Sequence, residues 1–223
     1  MTPAMTAHAR AKAPSYRILN NARQKAAETS GCDSAATRIS LTEVTRRRSG
    51  DNPYEWQLDM SEAVLLGLDT IVIAGTGSGK TLPFVMPSML DKKKKAIVIS
   101  PLKTLEEDQA KRFMKLQVPA AAVNGDTWSA LLQQQIMNSE LQALLASPEM
   151  CLKHPKFCSM LADSLFKDVA AIIIDEAHCI GQWGGDFCKE YENLLKLCTF
   201  LPPHIPFITI TATLTPAGLI VII

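Results

Sequence analysis

A chain of 223 residues with 47% hydrophobic and 20% charged residues has the size and composition of one globular domain with a sizeable core. The formal net charge of +1 hides an asymmetry: Met1 to Gly50 holds nine basic and three acidic residues, and the remainder 14 basic and 19 acidic. The sequence has no apolar run of about 18 residues, the length a membrane-spanning helix needs, and its first residues lack the apolar core of a secretory signal.

The six cysteines show neither a C-x-x-C pair nor a Cys/His zinc spacing, so they read as reduced thiols of an intracellular protein and give no zinc site. Residues 1–50 read as a basic, disordered tail, with Arg46, Arg47 and Arg48 as a localisation signal or a solvated run. Because no acid precedes Glu28, a mitochondrial transit peptide is a second reading of the same segment.

The domain is expected over residues 51–223. Pro53 to Leu66 places Trp56, Met60, Ala63 and Val64 at helical spacing. Apolar runs follow at Thr70–Gly75, Ala96–Pro101, Ala120–Val123, Ala143–Pro148, Val169–Asp175 and Phe207–Thr213. Most are apolar throughout rather than alternating, as strands covered on both faces are. Helical segments separate them at Lys80–Leu90, Thr104–Leu116, Thr127–Asn138, Phe157–Phe166 and Lys189–Phe200. This alternation predicts an α/β fold with a mostly parallel sheet and helices on both faces. The run Lys92–Lys95 reads as a solvated turn.

"AGTGSGKT" (Ala74–Thr81) sits between a predicted strand and a predicted helix. It fits the phosphate-loop pattern except that Ala74 stands where glycine is usual. Glycines at 75, 77 and 79 let the backbone N–H groups of Thr76, Ser78 and their neighbours turn toward phosphate oxygens. Lys80 would reach the β- and γ-phosphates, and the Thr81 hydroxyl would face Mg²⁺. "AIIIDEAH" delivers Asp175 at a strand's carboxyl end, where ligands bind in open α/β sheets. Asp175 would hold the metal through water, and Glu176 would take a proton from the attacking water.

These motifs belong to a longer ordered set. "DEAHCIGQWGGDFCKEY" (Asp175–Tyr191), "PYEWQLDMSEAV", "IVISPLKTLEEDQ", "LLASPEM" and "ITATLTP" together resemble the first RecA-like domain of RecQ-type DNA helicases of superfamily 2. The resemblance implies a P-loop NTPase fold and MgATP hydrolysis coupled to 3′–5′ separation of DNA strands. It implies that Gln57 reads adenine and that His178 belongs to the nucleotide site. Ser100, Pro101, Lys103, Ser147 and Pro148 would touch the DNA backbone. Gln182, Trp183 and Phe187 would form an aromatic loop reporting bound DNA, and Thr211 and Thr213 would couple ATP to DNA. Asp108 and Gln109 follow the pattern too, although a helix surface accounts for them equally well.

The family usually has histidine at the position of Gly185, arginine at that of Cys188, and arginine near Tyr54. It also carries a second RecA-like domain with an arginine finger, whereas "AGLIVII" follows Pro216 here. The chain by itself is therefore expected to bind ATP, hydrolyse it slowly and respond little to single-stranded DNA. A non-enzymatic ATP- or DNA-binding fragment and an RNA-directed superfamily 2 relative are the alternatives. The resemblance implies a nuclear location.

Overall fold

The structure, a computed structural model, describes residues 3–75, 77–162, 169–179, 193–197, 202 and 204–212. Thr76, Gln182, Trp183, Gly185, Phe187, Cys188 and Thr213 lie outside those residues. So do the predicted helix 189–200, apart from a 3₁₀ turn at Asn193–Lys196, and the apolar end at 218–223.

Six strands form one sheet: β1 (Thr70–Ile73), β2 (Lys95–Ile99), β3 (Ala120–Val123), β4 (Ala143–Ala146), β5 (Val169–Ile174) and β6 (Phe207–Thr211). All pairings are parallel and the spatial order is β1-β6-β5-β2-β4-β3. α3 (Glu55–Leu65) precedes β1, and between the strands lie α4 (Leu82–Leu90), α5 (Lys103–Lys115), α6 (Ala130–Met137), α7 (Pro148–Lys153) and α8 (Pro155–Ala162). Side chains alternate across a strand, so each buried strand feeds two cores. Ala96, Val98, Ile173 and Ile208 face the cluster built with α3, α4 and α5, while Ile97, Ile99, Ile172 and Ile174 face the one built with α6, α7 and α8. This three-layer arrangement is the predicted fold. It places Ala74, Ser100, Asn124, Ser147 and Asp175 together along the carboxyl edge of the sheet, beside Thr211 at the end of β6.

The segment expected to be a disordered tail is helical where it is described, as α1 (Pro3–Ser30) and α2 (Ser34–Ser49). Asp33 caps α2 by accepting the N–H groups of Ala35 and Ala36, and Gly50 ends it at φ 85°, the left-handed region glycine enters without strain. Leu41 and Val44, three apart on one face, are buried in the same cluster as α3 and α4. Arg48 donates to the carbonyls of Met89 and Gln117 at 3.1 Å each, joining the end of α2 to the ends of α4 and α5. The basic composition concealed this docking because the acidic and carbonyl partners lie far away in sequence. Leu41 is fully buried, so Leu41→Ala is expected to destabilise the domain by about 2–5 kcal/mol. Urea unfolding measures this, and an unchanged midpoint would return α2 to the status of a loose tail.

A smaller correction concerns the lysine run. Lys92, Lys93 and Lys94 are exposed, but Lys95 opens β2, is buried, and donates from Nζ to Ser139 Oγ at 2.9 Å.

Candidate functional site

The phosphate loop leaves β1 with its backbone already anchored. Ala74 N–H donates to the Thr211 carbonyl on β6 at 3.1 Å, and Ser78 donates to Gly75 O through both N–H (3.2 Å) and Oγ (2.7 Å). Gly77 and Gly79 have φ of 80° and 76°, a region L side chains rarely enter. Lys80 and Thr81 are half-buried just before α4. Among the described residues neither side chain has a hydrogen bond or ion pair, which leaves an ammonium and a hydroxyl available at the helix entrance.

Gln57 sits behind this loop and is 2% exposed. Its Oε1 accepts Tyr54 N–H at 2.8 Å, closing a capping arrangement at the start of α3, and its Nε2 donates to Gly79 O at 2.9 Å. A Cβ on Gly79 would stand 2.7 Å from that Nε2. Gly79 is thus needed for close approach as well as for its φ. Each end of the Gln57 amide makes one protein contact, which leaves its second N–H and second lone pair for a further partner. Tyr54, at the position where the family has arginine nearby, is 66% exposed beside it.

The acid box follows β5. Asp175 is buried; its Oδ1 accepts Glu176 N–H at 2.9 Å, and its Oδ2 accepts Gln109 Nε2 from α5 at 2.6 Å. Gln109 is itself buried, and among the described residues its Oε1 has no partner. The sequence left Gln109 between a motif position and a helix surface; its four-residue spacing from the apolar Phe113, which is buried, was the readable sign that it faces inward. Glu176 has φ 50°, costly for a residue with a side chain and characteristic of functional turns. His178 Nδ1 lies 3.1 Å from Glu176 Oε2 and 3.3 Å from Thr211 Oγ1. A hydrogen on Nδ1 satisfies the carboxylate, an assignment made from the network. His178 therefore links the acid box to the end of β6, where the phosphate loop is also tied.

Ser100, Pro101, Lys103, Ser147 and Pro148, expected to face DNA, occupy the same edge after β2 and β4. Ser100 follows β2 with its Oγ buried and, among the described residues, without a partner, and Pro101 is half-buried beside it. Lys103 is exposed and paired with Asp126 at 2.6 Å. Ser147 is buried and its hydroxyl caps α7 by accepting Met150 N–H at 3.3 Å, with Pro148 buried at the first helical position. The Ser147 hydroxyl caps the helix as an acceptor, which leaves its own O–H to donate.

Under this edge lies Glu106, in the first turn of α5 and 0% exposed. Asn124 Nδ2 donates to its Oε2 at 2.7 Å, while Oε1 has no partner among the described residues. Burial pushes its carboxyl up to about 7; the Asn124 hydrogen bond opposes this and the nearby Glu149 charge adds to it. The folded chain holds this proton to higher pH than the unfolded chain, whose carboxyl titrates near 4.5. Its stabilising contribution is complete below the unfolded value and is lost as pH rises through 7. Glu106→Gln fixes the neutral form, so its Tm is expected to match the parent's near pH 4.5 and exceed it by about 3–6 °C at pH 8. An equal difference at both pH values would contradict a buried, titrating Glu106.

Among the described residues no helix is long and apolar enough to cross a membrane, and no three His, Cys, Asp or Glu side chains are grouped to hold a metal ion. Cys32, Cys151 and Cys158 are free thiols.

A family profile described as DEAD/DEAH box helicase matches residues 54–219. The chain is 35% identical over 162 residues to the ATP-dependent DNA helicase RecQ of Pasteurella multocida, covering 70% of this chain and 24% of that protein. It is 33% identical over 165 residues to the ATP-dependent helicase SGS1 of Saccharomyces cerevisiae, covering 70% and 11%. A putative ATP-dependent RNA helicase, R290 of Acanthamoeba polyphaga mimivirus, is 34% identical over 167 residues, covering 74% and 30%. The chain thus spans less than a third of each of these curated relatives. Among solved structures, DUF1998 helicase MrfA bound to DNA aligns with a TM-score of 0.60 at 24% identity, covering 79% of this chain and 26% of that one. That likeness is one of fold.

Proposed function

The chain belongs to the DEAD/DEAH box helicase family, and from that premise we propose that it is the ATP- and nucleic-acid-binding part of a RecQ-like DNA helicase. The observation that carries the reading is convergence. The Ala74–Thr81 loop, the Asp175–Glu176 pair and Thr211 meet at one edge of the sheet through the Ala74–Thr211 and His178–Thr211 contacts. Three stretches far apart in sequence then face one crevice at the carboxyl ends of parallel strands, where such sheets hold nucleotides.

Each residue takes a role that its surroundings suit. The backbone N–H groups of residues 75–81 would cradle phosphate oxygens at the entrance of α4, and Lys80 would place its charge on the β- and γ-phosphates. The donor set fits Mg²⁺: a carboxylate at Asp175 and a hydroxyl at Thr81 are hard oxygens, and this ion takes few protein ligands beside phosphates and water. When bound, Mg²⁺ supplies neutralisation of phosphate charge. Gln109 and the Glu176 N–H fix the Asp175 carboxylate from behind, leaving its orientation independent of the nucleotide. Glu176, held by His178, would accept the proton of the attacking water. Ser100, Pro101 and Lys103, with the N–H groups near Ser147 and Pro148, would hold a strand by its phosphates without reading its sequence.

DNA as the strand, a nuclear location, and residues 51–223 as the unit that binds both ligands belong to the same reading. The mimivirus relative favours RNA as a second reading. ATP turnover and fluorescence anisotropy with single-stranded DNA and RNA of equal length decide between them. The expected result is MgATP binding, slow turnover and tighter binding to DNA. Preference for RNA would overturn the DNA assignment, and binding without any turnover would leave a non-enzymatic binding fragment. Imaging a fluorescent fusion tests the location.

A further inference from the structure

Asp59 and Glu62, three residues apart on α3, are held by the N-terminal helices. Arg23 of α1 donates from Nη2 to Asp59 Oδ1 and from Nε to Glu62 Oε2, each at 3.0 Å. Arg38 of α2 donates from Nη1 to Asp59 Oδ1 at 2.7 Å and to Glu62 Oε2 at 3.2 Å, and from Nη2 to Glu55 Oε2 at 2.6 Å. The hydroxyl of Tyr16 donates to Asp59 Oδ2 at 2.9 Å, and that of Ser34 donates to Glu62. Glu62 is 3% exposed. Burial pushes its carboxyl up, but hydrogen bonds from Arg23 and Ser34 outweigh that and hold it below its ordinary value.

An ionic network that is partly buried around a buried Glu62 adds little stability over apolar side chains of similar volume; its better attested use is to fix one geometry. The geometry fixed here is that of α3. Two residues before Asp59, the same helix carries Gln57, whose amide holds Gly79 O. Ser61, also on α3, donates to Pro83 O at 2.6 Å, tying it to the helix that follows the phosphate loop. Polar contacts from α1 and α2 at Asp59 and Glu62, and from Gln57 and Ser61 to the backbone on either side of Lys80 and Thr81, are therefore joined through α3 itself.

We propose that the N-terminal helices are a positioning element for the nucleotide: Arg23 and Arg38 fix α3 so that Gln57 holds the phosphate loop in its binding shape, and nucleotide affinity depends on that clamp. The inference rests on the reading of Ala74–Thr81 as the nucleotide loop. It gives the basic segment a task in the nucleotide site that neither its charge nor its place ahead of the domain suggests.

The test measures the affinities of the full chain for MgATP and for inorganic tripolyphosphate with Mg²⁺, by competition against a fluorescent ADP. Each variant is compared at the same interval below its own Tm. Arg38→Gln is expected to weaken both ligands about fivefold to tenfold, since the loop rather than a base contact is disturbed, and Arg38→Lys is expected to recover part of the loss. Arg38→Gln combined with Glu62→Gln leaves no buried charge unpaired by Arg38, guards against simple unfolding, and is expected to show the same weakening. Leu132→Ala, in the core on the opposite face of the sheet, is expected to lower Tm and leave both affinities unchanged. Parent-like affinity in both charge variants, or an equal loss in Leu132→Ala, would overturn the clamp. A parent chain that binds neither ligand, or Lys80→Ala binding like the parent, overturns instead the nucleotide reading beneath it.

Discussion

Lys80→Ala is expected to weaken MgATP binding about 100-fold, the loss of one strong charge-assisted contact with phosphate. The structure makes this a clean substitution. Lys80 is half-buried at the mouth of α4, and among the described residues its ammonium has no hydrogen bond or ion pair. Removing it strands no protein group, so the Tm without nucleotide should stay with the parent while the rise in Tm caused by MgATP disappears. Calorimetric titration reads the affinity and thermal unfolding reads the fold. An unchanged affinity would place the nucleotide elsewhere.

Glu176→Gln should separate binding from chemistry. The amide keeps the size of the side chain and can still accept a hydrogen bond from His178, and the backbone at φ 50° is no harder for glutamine than for glutamate. MgATP affinity is therefore expected to remain near that of the parent, while turnover falls by about 10²–10⁴, the range for loss of a positioned general base. Pre-steady-state phosphate release would locate the loss in the chemical step. Turnover equal to the parent's would give the proton to another acceptor, and a parallel loss of affinity would make Glu176 a binding residue instead.

The parts of the fold that the sequence made legible are those whose chemistry is local. β3 occupies the predicted Ala120–Val123, because an apolar run before Asn124-Gly125 can be little else in an alternating α/β chain. The phosphate loop and the acid box were equally plain, since both need particular residue types at fixed spacing. A helix was missed at Pro148–Lys153 although Ser147-Pro148 is a good start signal, because six residues show too little periodicity to register.

Legibility ended wherever a residue's role depends on a distant partner. Leu41 and Val44 looked like apolar residues in a basic tail until α3 and α4 stood beside them. Arg23 and Arg38 counted only toward the basic charge of the tail, yet acids on α3 engage them. The Gln57 motif said nothing of the Gly79 carbonyl, 22 residues away, to which its amide donates. The capping role of the Ser147 hydroxyl showed only once α7 was in place. Glu106 gave no sign of its burial, which follows from the position of Asn124 across the edge.

Hydrogen exchange on the parent chain with and without MgATP tests the central claim most directly. Slowed amide exchange is expected over residues 74–82, whose N–H groups would bind phosphate, and over 175–178 beside them. Unchanged exchange in both stretches at saturating MgATP, or protection confined to other parts of the chain, would contradict a nucleotide site at the carboxyl edge of β1, β5 and β6.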